Sequence, residues 1–172
     1  DGEKVKAALA DFKGVKRRFQ YIIPPKNISG STFVQPVLVD DYAHHPEELR
    51  ALLSSIRTLF PQRVVTVIFQ PHLYSRTRDF ADGFAEVLSI ADRVILLPIY
   101  PARELPMEGV SSEMILEKVD RTDKQVLSKE EMLQWMKGHA KNLNKEFGEV
   151  IVMAGAGDID ALVEPVKELL GY

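Results

Sequence analysis

Two runs constrain this chain most: Val64-Val65-Thr66-Val67-Ile68-Phe69 and Val94-Ile95-Leu96-Leu97, both apolar at nearly every position and rich in β-branched residues. A strand with one face in water alternates apolar and polar side chains, so a continuous apolar run marks a strand covered on both faces. Similar patterns predict strands over Arg17–Ile23, Phe33–Val39, Val64–Phe69, Val94–Pro98, Val150–Ala154 and, weakly, Gln125–Leu127. Amphipathic patterns predict helices over Pro46–Phe60, Arg78–Ser89, Ser112–Val119, Lys129–Asn144 and Ile159–Leu170. Strand–helix alternation of this kind gives an α/β fold, an open and mainly parallel sheet flanked by helices. The polar first strand, with Arg17, Arg18 and Gln20, reads as a sheet edge. The hairpin-like Pro24–Gly30 loop would make its pairing with the next strand antiparallel.

The 172 residues fit a single domain spanning 1–172, large enough to bury about 70% of its unfolded surface. With 45% apolar and 27% charged residues the chain has the composition of a soluble globular protein. A net charge of −3 with mixed signs leaves no basic face for nucleic acid. No apolar run is long enough for a membrane helix, and no signal peptide is visible. The absence of cysteine excludes disulfides, thiol nucleophiles and Cys-type zinc sites, and it is compatible with a cytoplasmic protein. The opening Val5–Phe12 reads as the tail of a helix, so residues 1–13 are expected to end a preceding domain.

In an open α/β sheet, ligands bind in the crevice beyond the carboxyl ends of the strands. Four connections there are unusually polar. Asp40-Asp41-Tyr42-Ala43-His44-His45-Pro46 delivers two carboxylates, an aromatic ring and two imidazoles to one turn, before Glu47 and Glu48 open a helix. Gln70-Pro71-His72-Leu73-Tyr74-Ser75-Arg76-Thr77-Arg78 sets two guanidiniums and an imidazole where the chain enters the next helix. That is a plausible anion receptor, although Ser75 or Thr77 capping the helix would be the plainer account. Gly155-Ala156-Gly157-Asp158 lacks the third glycine of a dinucleotide fingerprint and is expected to be a tight turn capped by Asp158. Tyr100-Pro101-Ala102-Arg103-Glu104 is the fourth. Asp40, Asp41, His44 and His45 could also ligate a divalent cation, as in a metal-dependent phosphoesterase. A dinuclear site would need further acids, which the other strand ends do not offer.

The first two of these motifs, with Gly155-Ala156-Gly157-Asp158 after them and Gly14-Val15-Lys16-Arg17-Arg18-Phe19 before them, resemble the C-terminal domain of the alanine-adding Mur ligases. The resemblance covers essentially the whole chain and implies a Rossmann-like fold. It also implies a reaction of peptidoglycan synthesis. ATP phosphorylates the lactyl carboxylate of UDP-N-acetylmuramate, and the amine of L-alanine attacks the acyl phosphate. By the same resemblance Arg18 reaches the ATP phosphates, Asp41 holds the nucleotide ribose, and Tyr42, His44, His72 and Arg76 line the alanine pocket. His44 is the candidate for a catalytic role, as a base for the incoming amine. No G-x-x-x-x-G-K-[S/T] occurs here, so the ATP phosphate cradle and the Mg2+ ligands are expected in the family's central domain, and no metal ligands are assigned to this one. Leu73 stands where some relatives carry a second arginine. A sister ligase that attaches a recycled peptide, and a non-catalytic nucleotide-binding module, are the remaining readings.

Overall fold

The structure is a computed structural model that describes residues 16–26 and 34–172. Its strands are β1 (Gln20–Ile23), β2 (Val37–Asp41), β3 (Val64–Phe69), β4 (Arg93–Leu96), β5 (Lys124–Val126) and β6 (Glu149–Ala154). The helices are α1 (Pro46–Leu59), α2 (Tyr74–Leu88), α3 (Ser112–Leu116), α4 (Lys129–His139) and α5 (Val163–Leu169), with 3-10 turns at Ala140–Asn142 and Asp158–Leu162. The six strands form one sheet in the order β1-β2-β6-β3-β4-β5. β1 runs antiparallel to β2, and every other pairing is parallel. The sheet expected from the apolar runs, antiparallel edge included, is the one observed.

Strand periodicity divides the core into two layers. Val37, Val39, Val65, Val67, Phe69, Val150 and Val152 face α1 and α2, where they meet Leu49, Leu53, Ile56, Phe84 and Leu88. Leu38, Ile68, Ile95, Ile151 and Met153 face the other way, onto Met132 and Met136 of α4 and Val166 of α5. α1 forms because Pro46 occupies its first position, Glu47 and Glu48 its first turn and Arg57 its last, while Leu49, Leu52, Leu53 and Ile56 make one apolar stripe. The parallel strands β2, β6, β3 and β4 end side by side, at Asp41, Ala154, Phe69 and Leu96.

Several boundaries differ from the sequence expectation. β1 starts at Gln20 rather than Arg17, because Arg17 and Phe19 adopt positive φ (56° and 45°) and turn the chain into the sheet. β2 continues through Asp40 and Asp41, which are strand residues and not part of a turn. α2 begins at Tyr74, four residues early, after Leu73 at φ 73°. The last predicted helix is a 3-10 turn followed by α5, whose Pro165 lies in the first turn, where its missing N–H costs no hydrogen bond. The helix tail over 5–12, most of the 24–30 loop and Phe33 lie outside the described residues.

Candidate functional site

Alternation along β2 sends Asp40 and Asp41 to opposite faces of the sheet, and both are buried. On the α1 side, Asp41 accepts from the amide of Phe19 through Oδ2 (2.6 Å) and from that of Ala43 through Oδ1 (2.7 Å). One carboxylate thus shapes both the entry to β1 and the turn after β2. Asp40 lies beside Arg17, with Nε to Oδ2 at 3.3 Å. Burial pushes the Asp40 carboxyl up while the guanidinium pulls it down, and burial prevails. The same arginine donates to the carbonyl of Gly155 (2.6 Å), approaches Asp160 (3.7 Å) and lies over the Tyr42 ring (5.1 Å). Arg17, read from sequence as part of a polar edge strand, is therefore a largely buried hub. Arg18 is exposed and lines a neighbouring cleft of about 320 Å³ with Phe19, Asp41, Glu48 and Ser55.

Beyond Asp41 the rings form a row. Tyr42 meets His44 edge-on (5.2 Å), His44 meets His72 (6.0 Å), and His72 stacks on Tyr100 (5.7 Å, 18° between planes). Arg76, one helical turn after His72, places Nη1 3.1 Å from His72 Nδ1. Arginine only donates, so Nδ1 accepts and the His72 proton sits on Nε2. Burial, then Arg76 and His44, lower the pKa of His72, which keeps it neutral at pH 7. Tyr42, His44, His72 and Arg76, assigned to one pocket by resemblance, are thus adjacent along one edge. Tyr42 is 37% exposed, so this wall stands open on its outer side.

The α2 start explains which cation is available. Neither Ser75 nor Thr77 caps the helix: Thr77 donates back to the Leu73 carbonyl (2.9 Å), and Ser75 donates to Glu104. Glu104 also accepts from the Ser75 amide (2.9 Å), so an acid from the loop after β4 occupies the helix N-terminus. Those Ser75 hydrogen bonds lower the Glu104 pKa. The amides of Leu73 and Thr77 are taken by Tyr100 O and Leu73 O. Arg78, expected in the same receptor, is exposed and pairs with Asp79 (2.8 Å). Of the two guanidiniums of that expected receptor, Arg76 is the one with no carboxylate partner among the described residues. Sequence reading named the Tyr100–Glu104 loop but not its role. It buttresses this segment through Leu73 N to Tyr100 O (2.9 Å) and Tyr100 N to Pro71 O (2.8 Å).

The Gly155–Asp158 turn is a close-packing device. Asp158 does not cap it: the side chain accepts from Gln70 Nε2 (2.9 Å) and pairs with Lys129. Gln70 Oε1 takes the Ile159 amide instead (3.0 Å). Gly155 has φ 149°, and a Cβ on Gly157 would stand 2.5 Å from Gln70 Oε1 and 2.7 Å from Tyr100. The metal reading fares poorly. Asp40 faces Arg17, and among the described residues no three His, Asp or Glu side chains are grouped to hold an ion. Nor, among those residues, is any helix long and apolar enough to cross a membrane.

Comparison with known proteins identifies the family. The family model described as "Mur ligase, glutamate ligase domain" matches residues 17–157. The chain is 47% identical over 167 residues to the UDP-N-acetylmuramate–L-alanine ligase of Cytophaga hutchinsonii, covering 97% of this chain and 33% of that protein. It is 48% identical over 163 residues to the ligase of the same name from Christiangramia forsetii, covering 95% and 33%. Among solved structures it resembles the UDP-N-acetylmuramate-alanine ligase of Thermotoga maritima, with a TM-score of 0.67 at 26% identity over 98% of this chain and 33% of that one. The murein peptide ligase of Psychrobacter arcticus shares the fold, with a TM-score of 0.65 at 21% identity over 96% of this chain and 32% of the other. The chain spans about a third of the length of the curated relatives it matches. With most of its residues inside the family match, the chain belongs to the Mur ligase family, in its C-terminal domain.

Proposed function

We propose that this domain serves an ATP-dependent ligase that joins L-alanine to UDP-N-acetylmuramate in the cytoplasmic stage of peptidoglycan synthesis, together with the family's N-terminal and central domains. The observation that carries the reading is the continuous row Tyr42–His44–His72 with Arg76 at its end, built from two separate strand–helix connections. A planar guanidinium suits the alanine carboxylate, and rings set edge to edge suit a methyl-sized side chain. Arg18, exposed at the edge of its cleft, would meet ATP phosphate charge as the domains close. Each Asp41 oxygen that accepts an amide keeps a second acceptor position for a ribose hydroxyl. Mg2+, held by the central domain, would screen the phosphates. The product is an amide, with ADP and phosphate released.

The test is competition among amino acids in the intact ligase. A small pocket excludes large side chains by clash, yet one missing methyl is worth only about 1–3 kcal/mol. The expected order is alanine first, serine and glycine as weak substrates, and leucine and phenylalanine essentially unused. Equal use of leucine and alanine would mean that the wall lies on other residues.

A further inference from the structure

The ring of His44 is held by its Nδ1 edge. Nδ1 lies 2.9 Å from the carbonyl of Tyr42 and 3.2 Å from Glu48 Oε2. A carbonyl and a carboxylate both only accept, so Nδ1 must carry the proton. The lone pair of the ring is then on Nε2, at the opposite edge. The Glu48 oxygen that approaches Nδ1 also accepts from the backbone amides of His44 (2.9 Å) and His45 (3.1 Å). Burial opposes charge on Glu48, but those two amides, His44 and Arg18 together lower its pKa, so it is a carboxylate at neutral pH. Its position is fixed by the fold, because Pro46 starts α1 and Glu48 sits in the first turn, facing back over the chain that enters it.

We infer that Glu48 and His44 form a carboxylate–imidazole pair in which Glu48 is a positioning residue. It holds His44 as the Nδ1–H tautomer, with Nε2 turned to the substrate side as the proton acceptor for the incoming amine. This inference rests on the ligase reading above. Alanine arrives mainly as an ammonium ion, which has no lone pair. Nε2 takes one N–H proton, and the freed electron pair forms the C–N bond at the acyl phosphate carbon. The C–O bond to phosphate then breaks with its electrons, and phosphate carries off the second proton that the nitrogen loses. The resulting imidazolium lies against Glu48, whose negative charge offsets it. Among the described residues, the other ionisable groups against the ring are Tyr42, just after β2, and His72 of the β3–α2 connection, with Arg76 bound to His72 and Arg18 acting on Glu48. His72, already a hydrogen-bond acceptor from Arg76, has no free lone pair to compete for this role.

The simpler account is that Glu48 only caps α1. Glu48→Gln in the intact ligase separates the two, because the amide oxygen still accepts from both backbone amides but carries no charge. General base catalysis contributes about 10²–10⁴-fold, and losing the orienting charge should remove about ten- to a hundred-fold of that from alanine ligation. Hydroxylamine is unprotonated at neutral pH and needs no base, so ATP-dependent hydroxamate formation should fall about ten-fold less than alanine ligation does. Alanine ligation by the variant should also recover as the pH is raised and alanine's own amine becomes neutral. In a His44→Ala background, Glu48→Gln should add no further loss. Equal loss of hydroxamate and alanine product, additive effects of the two substitutions, or an unaltered Glu48→Gln enzyme would each overturn the pairing. Failure of the wild type itself to form hydroxamate with ATP and UDP-N-acetylmuramate would instead overturn the ligase reading beneath it.

Discussion

Replacing Gly157 with alanine should damage both the fold and the pocket, and the cost can be worked from contacts. The new Cβ would stand 2.5 Å from Gln70 Oε1 and 2.7 Å from Cβ and Cγ of Tyr100. Tyr100 cannot easily retreat, since its backbone is hydrogen-bonded to both Pro71 and Leu73. Gln70 is held by Asp158 on one side and the Ile159 amide on the other. Overpacking a tight site costs about 1–3 kcal/mol. Pulling Gln70 Oε1 off a buried amide costs about 1–3 kcal/mol more. The sum predicts roughly 2–4 kcal/mol of lost stability, because relief of one contact partly relieves the other. Gly138 is the matched control. It lies within α4 with nothing inside 4 Å of its would-be Cβ, so Gly138→Ala should stabilise by up to about 1 kcal/mol through helix propensity. Urea unfolding of the 172-residue chain, read as midpoint shifts at constant slope, measures both. In the intact ligase, Gly157→Ala should also raise the alanine KM by disturbing the Tyr100 stack beneath His72. A Gly157→Ala stability within about 0.5 kcal/mol of wild type would refute the claim that this turn is built on close approach.

Arg76→Lys should raise the alanine KM while leaving that of ATP nearly unchanged, because lysine keeps the charge but loses the planar fork, worth about 1–3 kcal/mol; an unaltered alanine KM removes Arg76 from the pocket. Arg18→Ala should weaken ATP use with stability within about 0.5 kcal/mol of wild type, whereas Arg17→Ala should cost up to about 3 kcal/mol, since Asp40 is left buried beside no cation and must take up a proton; thermal melts and ATP titrations of the two variants decide it. Acid should expose the opposite end of the sheet. Glu149 is buried, and although burial opposes its charge, His139 (2.7 Å), the Asn144 amide and Arg93 hold its pKa below the usual carboxylate range. A carboxylate so depressed contributes stability that is complete above its unfolded pKa of about 4.3 and is lost as the pH falls through the folded value. Glu149→Gln should therefore be less stable than wild type at pH 7 by about 1–3 kcal/mol and show a flatter decline below pH about 4.3 in denaturant titrations. A parallel decline in both would remove Glu149 as a source of the acid limb.

The sheet was legible because its determinants are local. Val64–Phe69 and Val94–Leu97 announce strands buried on both faces without reference to any other part of the chain. What the sequence hides is non-local pairing. Asp40 and Asp41 look like turn residues because an apolar run ends just before them, and burying two carboxylates is unfavourable until partners are known. Those partners, the guanidinium of Arg17 and the amide of Phe19, come from the far side of the β1–β2 connection. Likewise the start of α2 is fixed by the Ser75 amide meeting Glu104, 29 residues further along, which no local capping pattern reveals. The residues named by resemblance came together, yet the supporting role of Tyr100, Glu104 and Arg17 was hidden, because it rests on contacts with residues distant in sequence.

These supporting contacts also bear on why an arginine fork can be reduced to one arm at position 73. Leu73 sits at φ 73°, a conformation that disfavours any side chain, and its amide is bound by Tyr100 O while its carbonyl accepts from Thr77. The backbone there is thus fixed by neighbours and not by what the side chain does. Residue 73 is half-buried, so its side chain can change without moving His72 or Arg76. With the helix N-terminus occupied by Glu104, the proposed recognition of the alanine carboxylate would fall to the Arg76 guanidinium that His72 orients. The strength of that one contact then depends on keeping His72 neutral. An imidazolium would repel the guanidinium it now accepts from, and burial together with Arg76 and His44 lowers the His72 pKa and so disfavours it. On the proposed reading, selectivity and anion binding are in this way joined through the His72 ring.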